Sequence, residues 1–412
     1  MIRRNLVVFT HGAPFANGEN AFLFPELPML AETFERVVLV PDMIRHAYSR
    51  REVQLPDHVE VYSERYFKRR TRNAALIRAF TSFKWVRDIK RIKRPSDFIT
   101  CLLDIDSVIS FQGMFQMLLS DLSLDLRDTV FYTFWMTHEA SGLAELSLKH
   151  ENLSFVSRAH GYDLYDYRTN FRSRYFRELT INQSKGIFCC SKNGAAYLET
   201  NYSCESGKIK VGYLGIECDG VEPAIFTDDA TCLRLITVAN LVPIKRHVKF
   251  VGLLSEYAQA HTELEISYDI IGDGYYRQHV ETACHNLPKN LCVTLYGAMS
   301  NKEVLQRYNL VPYDLFVLPS ESEGLSVAVM EAMVRGIPAM VTNVGGMSEL
   351  VRNGDTGYLL KKEFNVVDVS EALDRYRESS RTTIRSAARR YVNSEFDRDV
   401  LRRDYVKELS SV

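Results

Sequence analysis

The chain has 412 residues, of which 46% are hydrophobic and 25% charged, and its formal net charge is −1. At a usual domain size of about 150 residues this length favours two domains, and the balanced charge excludes a molecule that binds polyanions through its overall field. The eight cysteines form no C-x-x-C pair and no zinc spacing with histidines, which is typical of reduced thiols in a cytosolic protein. The N-terminus shows no secretory signal, and because no run of about 20 apolar residues occurs, we expect no membrane span.

Short apolar, β-branched runs alternate with longer mixed segments along the chain. Such unbroken runs are typical of strands that are buried on both faces, as in parallel sheets. The strands predicted in the first half are residues 5–10, 36–41, 129–135, 153–159, 186–191 and 208–214. Those predicted in the second half are residues 234–239, 266–272, 291–297, 314–319 and 337–342. Strand followed by helix throughout predicts an α/β protein.

The polar segment 217–232 interrupts this pattern, and we place a domain boundary there. The prediction is two Rossmann-like domains with parallel sheets, 1–218 and 219–392, followed by a C-terminal segment, 393–412. Ligands of such sheets bind beyond the carboxyl ends of the strands. We therefore expect the functional site in a cleft between the two domains.

The segment 320–332, SESEGLSVAVMEA, places two carboxylates beside and within an apolar helix that follows a predicted strand. Glu323 stands before Gly324, which lets the backbone approach a ligand closely. Glu331 lies inside the helix, where a carboxylate must find hydrogen-bond donors because burying it alone costs several kcal/mol.

The start of this helix predicts an anion site. The amides of its first turn lack helical partners and favour a bound phosphate; they belong to Leu325, Ser326 and Val327. Glu331 lies about 7.5 Å further along the axis, of the order of the distance from a nucleotide's pyrophosphate to its ribose. One linear ligand would place ribose on Glu331, diphosphate on the helix start and a sugar beside Glu323. The alternative is structural, with Glu331 paired to a buried arginine or capping a loop, and Glu323 solvated.

The run 317–360 resembles the signature of the family-4 glycosyltransferases, which have the GT-B fold. It contains two glutamates separated by seven residues, then a Gly-Ile-Pro turn, a Gly-Gly-x-x-Glu segment and an Asn-Gly-x-x-Gly turn. The resemblance extends over most of the chain, through the segments NGENAFLFPEL (17–27), RAHGYDLYD (158–166), VANLVPIKRH (238–247), IIGDGYYR (270–277), LYGAMSNKEV (295–304) and EFDRDVLRRDYVKEL (395–409). The last of these is similar to the family's helix that crosses back to the first domain.

The resemblance implies a retaining glycosyltransferase, of the hexosyltransferase type and independent of metal. It would move a sugar from a nucleotide-sugar donor to a glycan or lipid-linked acceptor, as in bacterial members that build exopolysaccharide, capsule or lipopolysaccharide. It implies that Lys245 meets the diphosphate, that Glu323 holds donor-sugar hydroxyls and that His160 lies near the donor sugar; these three are the implied catalytic residues. The other implied donor-binding residues are Gly18, Asn240, Gly272, Gly297, Gly324, Leu325, Ser326 and Glu331. For His160 a satisfied core histidine is the structural alternative.

Two positions depart from the family pattern. Asn240 stands where arginine often shares the diphosphate charge, and Asn17 replaces the first glycine of the N-terminal pair. These departures leave open a non-catalytic GT-B protein that only binds a nucleotide sugar. Another alternative is a GT-B sugar-nucleotide epimerase, against which the glutamate pair and the Gly-Gly-x-x-Glu segment speak.

The sequence offers one weak metal motif. Asp104 and Asp106 have the Asp-x-Asp spacing of a different glycosyltransferase fold, but no further carboxylate ligand lies nearby in the sequence. We expect no catalytic metal and no cofactor, since the nucleotide sugar is a substrate.

Residues 61–94 carry twelve Lys and Arg against two acids, a net charge of +10, which leaves the rest of the chain near −11. Leu76, Phe80 and Phe83 follow i, i+4, i+7 helical spacing within this stretch. A basic, aromatic surface suits an anionic bilayer, so we predict a cytoplasmic protein that is peripheral on the inner face of the membrane. The alternatives are a solvated basic face over ordinary core residues, and nucleic-acid binding, for which no motif is present.

Overall fold

The computed structural model describes residues 4–15, 22–42, 54–62, 71–168 and 176–412, without the side chains at 88 and 91. The chain divides into two compact units, Met1–Tyr213 with Arg402–Val412, and Leu214–Leu401. The divisions fall after 213 and 401, where the sequence placed them after 218 and 392. Each unit contains its own parallel sheet, so the predicted α/β class is confirmed.

The sheet of the first unit has the strand order β3-β2-β1-β4-β5-β6-β7 within the described residues. Its strands are β1 Asn5–Thr10, β2 Arg36–Pro41, β3 Val59–Val61, β4 Thr129–Thr133, β5 Ser154–Ala159, β6 Gly186–Cys189 and β7 Ile209–Val211. All neighbours pair in parallel. The central strands β4 and β5 are buried along their whole length, which explains their unbroken apolar runs.

Helices cover this sheet. They are α1 Leu27–Thr33, α2 Arg72–Thr81, α3 Pro95–Asp121, α4 His138–Ser147, α5 Arg177–Gln183 and α6 Lys192–Asn201, with 3-10 helices at Phe24–Glu26 and Lys84–Arg91. Helix α6 begins where the Ser191 hydroxyl accepts a hydrogen bond from the Gly194 amide at 3.0 Å, which satisfies an amide that has no helical partner.

Helix α3 alone among the described helices is long and apolar enough to cross a membrane by length and composition, and 39% of its most apolar window is buried in the protein. The Phe111 ring lies 5.1 Å from Phe9 of β1, and the Phe115 ring lies 4.9 Å from Phe131 of β4. These edge-on aromatic contacts are those of a core helix packed on the sheet.

The sheet of the second unit has the order β10-β9-β8-β11-β12-β13. Its strands are β8 Cys232–Val238, β9 Glu265–Ile271, β10 Leu291–Gly297, β11 Leu315–Leu318, β12 Ala339–Thr342 and β13 Gly357–Leu360. Its helices are α7 His247–Ala260, α8 Arg277–Ala283, α9 Asn301–Leu310, α10 Val327–Met333, α11 Met347–Leu350, α12 Val366–Glu378 and α13 Arg381–Glu395, with a 3-10 helix at Pro243–Lys245. Its strands also pair in parallel.

The last helix, α14 Arg398–Ser410, completes the core of the first unit from Arg402 onward. The Tyr405 ring lies 4.8 Å from Phe188 and 5.9 Å from Tyr132, edge-on to both. The buried Arg158 guanidinium lies over the Tyr405 ring at 4.2 Å and pairs with Glu26. A cation held against an aromatic face and a carboxylate can remain charged inside the protein.

Candidate active site

The second sheet changes its winding direction between β8 and β11, which are neighbours in space. Lys245 follows β8 and Glu323 follows β11, and the Lys245 Nζ atom donates a hydrogen bond to Glu323 Oε1 at 2.5 Å. Ligands of open α/β sheets bind outside the carboxyl ends of the strands at such a switch point. The structure therefore brings these two sequence-predicted residues together where a ligand is expected.

The loops that carry this ion pair are fastened to their surroundings. The Glu321 amide donates to the Ile244 carbonyl at 2.8 Å, and the Gly346 amide donates to the Gly324 carbonyl at 2.8 Å. Only 18% of the Lys245 side chain and 10% of the Glu323 side chain are exposed. Within the described residues only Oε1 of Glu323 accepts a hydrogen bond, so Oε2 is available to a ligand.

Glu331 lies in α10 and has a hydrogen-bond donor. Its Oε1 atom accepts from Asn301 Nδ2 at 2.8 Å, while Arg335 donates to the Glu331 backbone carbonyl at 2.8 Å. Burial raises the pKa of the Glu331 carboxyl, and the Asn301 bond and the charge of Arg335 oppose that rise. The carboxylate is thus held by a neutral amide, and the arginine does not bind it directly.

Helix α10 begins after Ser326, whose side chain makes no capping bond. No hydrogen bond among the described residues uses the amides of Leu325 or Ser326. Within the part of the chain that the structure describes, the buried hydroxyls of Ser320, two residues beyond β11, and Thr342, the last residue of β12, have no hydrogen-bond partner. Sequence reasoning missed these two residues, although each lies at or just beyond the carboxyl end of a buried strand, which is the available signal.

Gly272 and Gly297 hold the neighbouring strand ends together. The Gly272 amide donates to the Gly297 carbonyl at 2.8 Å. Gly272 has a φ of +144°, and a Cβ atom there would lie 1.9 Å from the Ala239 carbonyl oxygen. This close approach of two backbones requires glycine. The packing at Gly272 fixes the position of the loop that begins at Asn240, whose side chain is exposed. A contact of Gly272 and Gly297 with a donor stays a prediction.

His247 is a further residue that the sequence did not single out. It is buried at the start of α7, and its Nε2 atom lies 3.3 Å from the Asn240 carbonyl oxygen. Burial, helped by the charge of Lys245 and opposed by the Asn240 contact, lowers the pKa of His247 to about 4. The imidazole is therefore neutral near pH 7 and supports the Lys245 loop without adding charge.

In the first unit, His160 directly follows β5 and is 8% exposed. Its Nδ1 atom lies 3.8 Å from Asp163 Oδ2, and at this distance neither ring nitrogen makes a hydrogen bond with the described residues. The ring packs 4.4 Å from Trp135 and 5.0 Å from Phe134. The imidazole is thus buried among aromatic rings beside a carboxylate, and a contact of His160 with the donor sugar stays a prediction.

Asp163 binds the backbone of His160 and of Met136 on the neighbouring loop. Its carboxylate accepts hydrogen bonds from the amides of His160 and Met136, each at 2.8 Å. Although burial acts to raise it, these bonds and the nearby imidazole lower the pKa of Asp163. Asp163 thereby ties the loop after β4 to the loop after β5. Its three-residue spacing from His160 was the only sequence signal.

The remaining predicted residues lie apart from these clusters or outside the description. Gly18 and Asn17 fall outside the described residues, and the cleft between the two domains stays a prediction. In helix α3, the Asp106 carboxylate accepts from Arg78 Nε at 2.5 Å, so this half of the Asp-x-Asp motif serves an ion pair.

Residues 227–391 match the family model "Glycosyl transferases group 1". This chain matches three curated relatives over only about a third to a half of their own length. Sulfoquinovosyl transferase SQD2 of Arabidopsis thaliana is 29% identical over 42% of this chain and 33% of its own. The putative colanic acid biosynthesis glycosyltransferase WcaL of Escherichia coli is 27% identical over 51% of this chain and 52% of its own. The amylovoran biosynthesis glycosyltransferase AmsK of Erwinia amylovora is 30% identical over 38% of this chain and 39% of its own.

Solved structures match the whole chain at low identity, which shows the fold. Sucrose-phosphate synthase of Thermosynechococcus elongatus has a TM-score of 0.73 and 14% identity, over 98% of both chains. The lipopolysaccharide outer core galactosyltransferase WaaB has a TM-score of 0.67 and 13% identity, over 99% of both chains. HepE of Anabaena, in complex with UDP-glucose, has a TM-score of 0.61 and 14% identity, over 99% of this chain and 100% of its own. The second unit is therefore a glycosyl transferases group 1 domain, carried by a chain with the fold of the GT-B glycosyltransferases.

Proposed function

We propose that the chain is a retaining, metal-independent glycosyltransferase. It moves a sugar from a nucleotide-sugar donor to a glycan or lipid-linked acceptor in surface polysaccharide biosynthesis. The observation that carries this proposal is the contact of Lys245 with Glu323 at the switch point of the second sheet. Relatives named for colanic acid and amylovoran biosynthesis support it, as does the fold shared with HepE, whose structures hold UDP and UDP-glucose.

Transfer requires that negative charge be stabilised on the departing diphosphate. Lys245 supplies a cation with three N–H donors; one of them binds Glu323, which leaves two for phosphate oxygens. The amides of Leu325 and Ser326 add donors that no protein group uses within the described residues. These groups meet the diphosphate charge without requiring a divalent ion.

The two glutamates divide the rest of the donor between them. Glu323 keeps Oε2 for hydroxyls of the transferred sugar while Oε1 orients Lys245. Glu331 keeps its second oxygen for the ribose while Asn301 holds the first. We assign His160 a hydrogen bond to a sugar hydroxyl through its Nε2 atom, since its Nδ1 atom lies 3.8 Å from Asp163 Oδ2. No base is assigned to it, because in retaining transfer the leaving phosphate can take the acceptor proton on the same face.

Ligand-dependent thermal unfolding tests this assignment with UDP-glucose, UDP-galactose, GDP-mannose, free UDP and free GDP. A donor at 100 times its Kd should stabilise the wild type by about 2.7 kcal/mol. Glu331→Ala should weaken the effect of nucleotide sugars and free nucleotides alike, whereas Glu323→Ala should spare free nucleotides. Glu256→Ala, an exposed glutamate of α7, is the matched control.

Failure of every nucleotide to stabilise the wild type would refute the donor site. A protein that binds a donor and acceptor and transfers nothing would refute the enzyme. EDTA should leave transfer intact, and loss of activity with rescue by Mg²⁺ or Mn²⁺ would refute metal independence.

We further propose that residues 71–94, the basic hairpin, hold the protein on an anionic bilayer. The hairpin consists of α2 and the following 3-10 helix. Five large apolar side chains in it are between 48% and 65% exposed: Ile77, Phe80, Phe83, Val86 and Ile89. Exposed cations stand among them at Arg72, Lys90 and Lys93. Apolar side chains that enter the interface, surrounded by cations, fit an anionic membrane.

The inward side of the hairpin is fastened to the first unit. Lys84 and Arg87 pair with Glu145 of α4, and Leu76 and Trp85 pack on a buried cluster. The alternative, a solvated basic face over ordinary core residues, concerns the outward side and is decided by vesicle binding. The helical row expected through Phe83 is wrong, because α2 ends at Thr81 and Phe83 has a positive φ of 54°.

A further inference from the structure

Arg246 directly follows Lys245 and has an unusual backbone conformation. Its φ of 55° and ψ of 29° lie in the left-handed region, between the 3-10 helix that ends at Lys245 and the start of α7. A residue with a Cβ atom enters this region only at a cost in free energy, whereas glycine enters it freely. The presence of an arginine at such a position points to a role for its side chain.

The Arg246 side chain joins three loops at the carboxyl edge of the second sheet. Its Nη1 atom donates a hydrogen bond to the Lys362 carbonyl at 2.5 Å, and its Nη2 atom lies 3.2 Å from Glu363 Oε1 and 3.8 Å from Glu321 Oε2. These partners follow β13 and β11, whereas Arg246 itself follows β8. Because β11 and β12 separate β8 from β13, the arginine links strand ends that are roughly 14 Å apart.

The charge of this guanidinium is met by protein groups. Only 13% of the Arg246 side chain is exposed, although the side chains of Glu321 and Glu363 are 52% and 73% exposed. Ion pairs to such exposed carboxylates contribute little to stability by themselves. The planar guanidinium, however, holds the carbonyl and both carboxylates in one geometry. The arrangement therefore fixes loop positions more than it stabilises the fold.

Two of these loops carry the proposed diphosphate site. The loops after β8 and β11 are joined by the bond from Lys245 to Glu323 at 2.5 Å, and by the Glu321 amide, which donates to the Ile244 carbonyl at 2.8 Å. Among the residues that the structure describes, Arg246 is the only cation paired with the Glu321 carboxylate. Without Arg246, that carboxylate would repel a diphosphate and attract the neighbouring Lys245 ammonium.

We propose that Arg246 is a positioning residue of the donor site. It neutralises Glu321 and joins the three loops, so that the Lys245 ammonium stays on Glu323 with its other N–H groups directed to the diphosphate. This inference rests on the proposed glycosyl transfer and concerns the same site. The rival role is that of a second phosphate-binding cation, which would make up for Asn240.

Calorimetric titration with UDP, UMP, GDP and GMP tests this role, because UMP and GMP lack the second phosphate. Arg246→Gly removes the side chain and accepts the left-handed backbone without strain. Its affinity for the diphosphate that the wild type binds should fall about tenfold, as for a weakened hydrogen bond to a charged group, and that for the matching monophosphate less than about twofold. Arg246→Lys keeps a cation beside Glu321 and should lose less. An equal loss would contradict the neutralisation of Glu321.

A double-mutant cycle separates positioning from direct binding. If Arg246 acts through Lys245, then in a Lys245→Met background Arg246→Gly should change the diphosphate affinity by less than about twofold. A loss of about tenfold in that background as well would overturn the positioning role, because independent contacts add. It would assign Arg246 a direct contact with the diphosphate.

Asn286→Gly is the matched control, since Asn286 is exposed in the same unit and also has a positive φ, of 59°. It should leave every nucleotide affinity unchanged. Equal losses of monophosphate and diphosphate affinity in Arg246→Gly, with a lower midpoint of urea unfolding, would show a structural role only. Binding of UDP or GDP that Arg246→Gly leaves intact refutes this inference alone. A wild type that binds no nucleotide refutes the donor site and this inference with it.

Discussion

Lys245 and Glu323 make different contributions although they contact each other directly. Lys245→Met removes the cation nearest the expected leaving group while Glu323 keeps its place in a fastened loop. Turnover should fall about 10²–10³-fold, the usual loss for one such transition-state contact. The measurement is kcat with the donor that stabilises the wild type best. Lys289→Met, an exposed lysine of the same unit, is the control. Equal losses in both variants would show that Lys245 has no special role.

The His138 imidazole forms an ion bridge between two carboxylates, with Nε2 3.7 Å from Asp42 Oδ1 and Nδ1 3.4 Å from Glu139 Oε2. We expect this bridge to make part of the folding stability depend on pH. Burial acts to lower its pKa, but the charges of Glu139, Asp42 and Asp104 raise the pKa to about 9. The ordinary value in an unfolded chain is about 6.5. Because the folded pKa is the higher one, the stabilisation is complete below about pH 6.5 and is lost as pH rises through about 9.

The measurement is urea unfolding of the wild type and His138→Gln across this pH range. The stability difference between them should shrink as pH rises. His11, whose charge lowers the pKa of Asp42, stays unchanged in both proteins. His150→Gln should show no such trend, and a pH-independent difference for His138→Gln would contradict the ion bridge.

Sequence alone predicted those parts of the candidate site whose residues are close together along the chain. Glu323 and Glu331 lie on one loop and helix, so their relation could be derived from helical rise. The contact of Asp42 with His138 joins residues from different strands, and only the strand order brings them together. Nothing in the local sequence of Asp42 marks that contact, which is why it was missed.

At the scale of elements, each predicted strand overlaps an observed one because buried parallel strands are unbroken apolar runs. The missed strand β3 has a glutamate between its two valines, and β13 begins at a glycine and contains no β-branched residue, so neither is an unbroken β-branched run. The prediction that Leu76, Phe80 and Phe83 lie along one helix was wrong for a different reason. Apolar spacing continues past the end of α2, but the backbone turns into a left-handed conformation at Phe83.

Two glycine substitutions separate a required glycine from a dispensable one. In Gly272→Ala the new Cβ atom meets the Ala239 carbonyl oxygen, and its φ of +144° is essentially restricted to glycine. Such backbone strain alone costs about 1–3 kcal/mol, so the second unit should lose at least this much stability. Gly252 lies inside α7 with no atom near its missing Cβ. Gly252→Ala should stabilise by about 0.5–1 kcal/mol. Equal effects in urea unfolding would contradict the close packing at Gly272.

The basic hairpin predicts salt-dependent binding to anionic vesicles. Pelleting should fall as salt rises past about 0.15 M, where the screening length is about 8 Å. Ile77→Ser with Phe83→Ser should reduce pelleting even at low salt, because both side chains are 65% exposed. Leu148→Ser with Leu310→Ser changes two exposed leucines elsewhere and is the control. Salt-independent pelleting, or equal loss in both double variants, would leave the hairpin as a solvated face.

At the scale of the whole molecule, a net charge of −1 conceals a strongly uneven distribution. The +10 of residues 61–94 stands against about −11 in the rest. An anionic surface would therefore attract one segment and repel most of the remainder.

The last prediction concerns helix α14, which follows the second unit in the sequence but belongs to the first unit from Arg402 onward. Tyr405 is 4% exposed and packs on Phe188, Tyr132 and Arg158 of the first unit. Tyr405→Ala should destabilise that unit by about 3–5 kcal/mol, the usual cost of removing a buried aromatic ring. The loss also leaves the Arg158 guanidinium without its aromatic contact.

Amide hydrogen exchange distinguishes a local effect from a general one. In Tyr405→Ala, strands β1, β4 and β6 should exchange faster, while β8 and β11 of the second unit keep their protection. Val400→Ala is the control, since it lies on the same helix, is 53% exposed and precedes Arg402. Faster exchange confined to the second unit, or none, would contradict the assignment of the C-terminal helix. A helix continuous in sequence with the second unit would then stabilise that unit, and the first core would be complete without it.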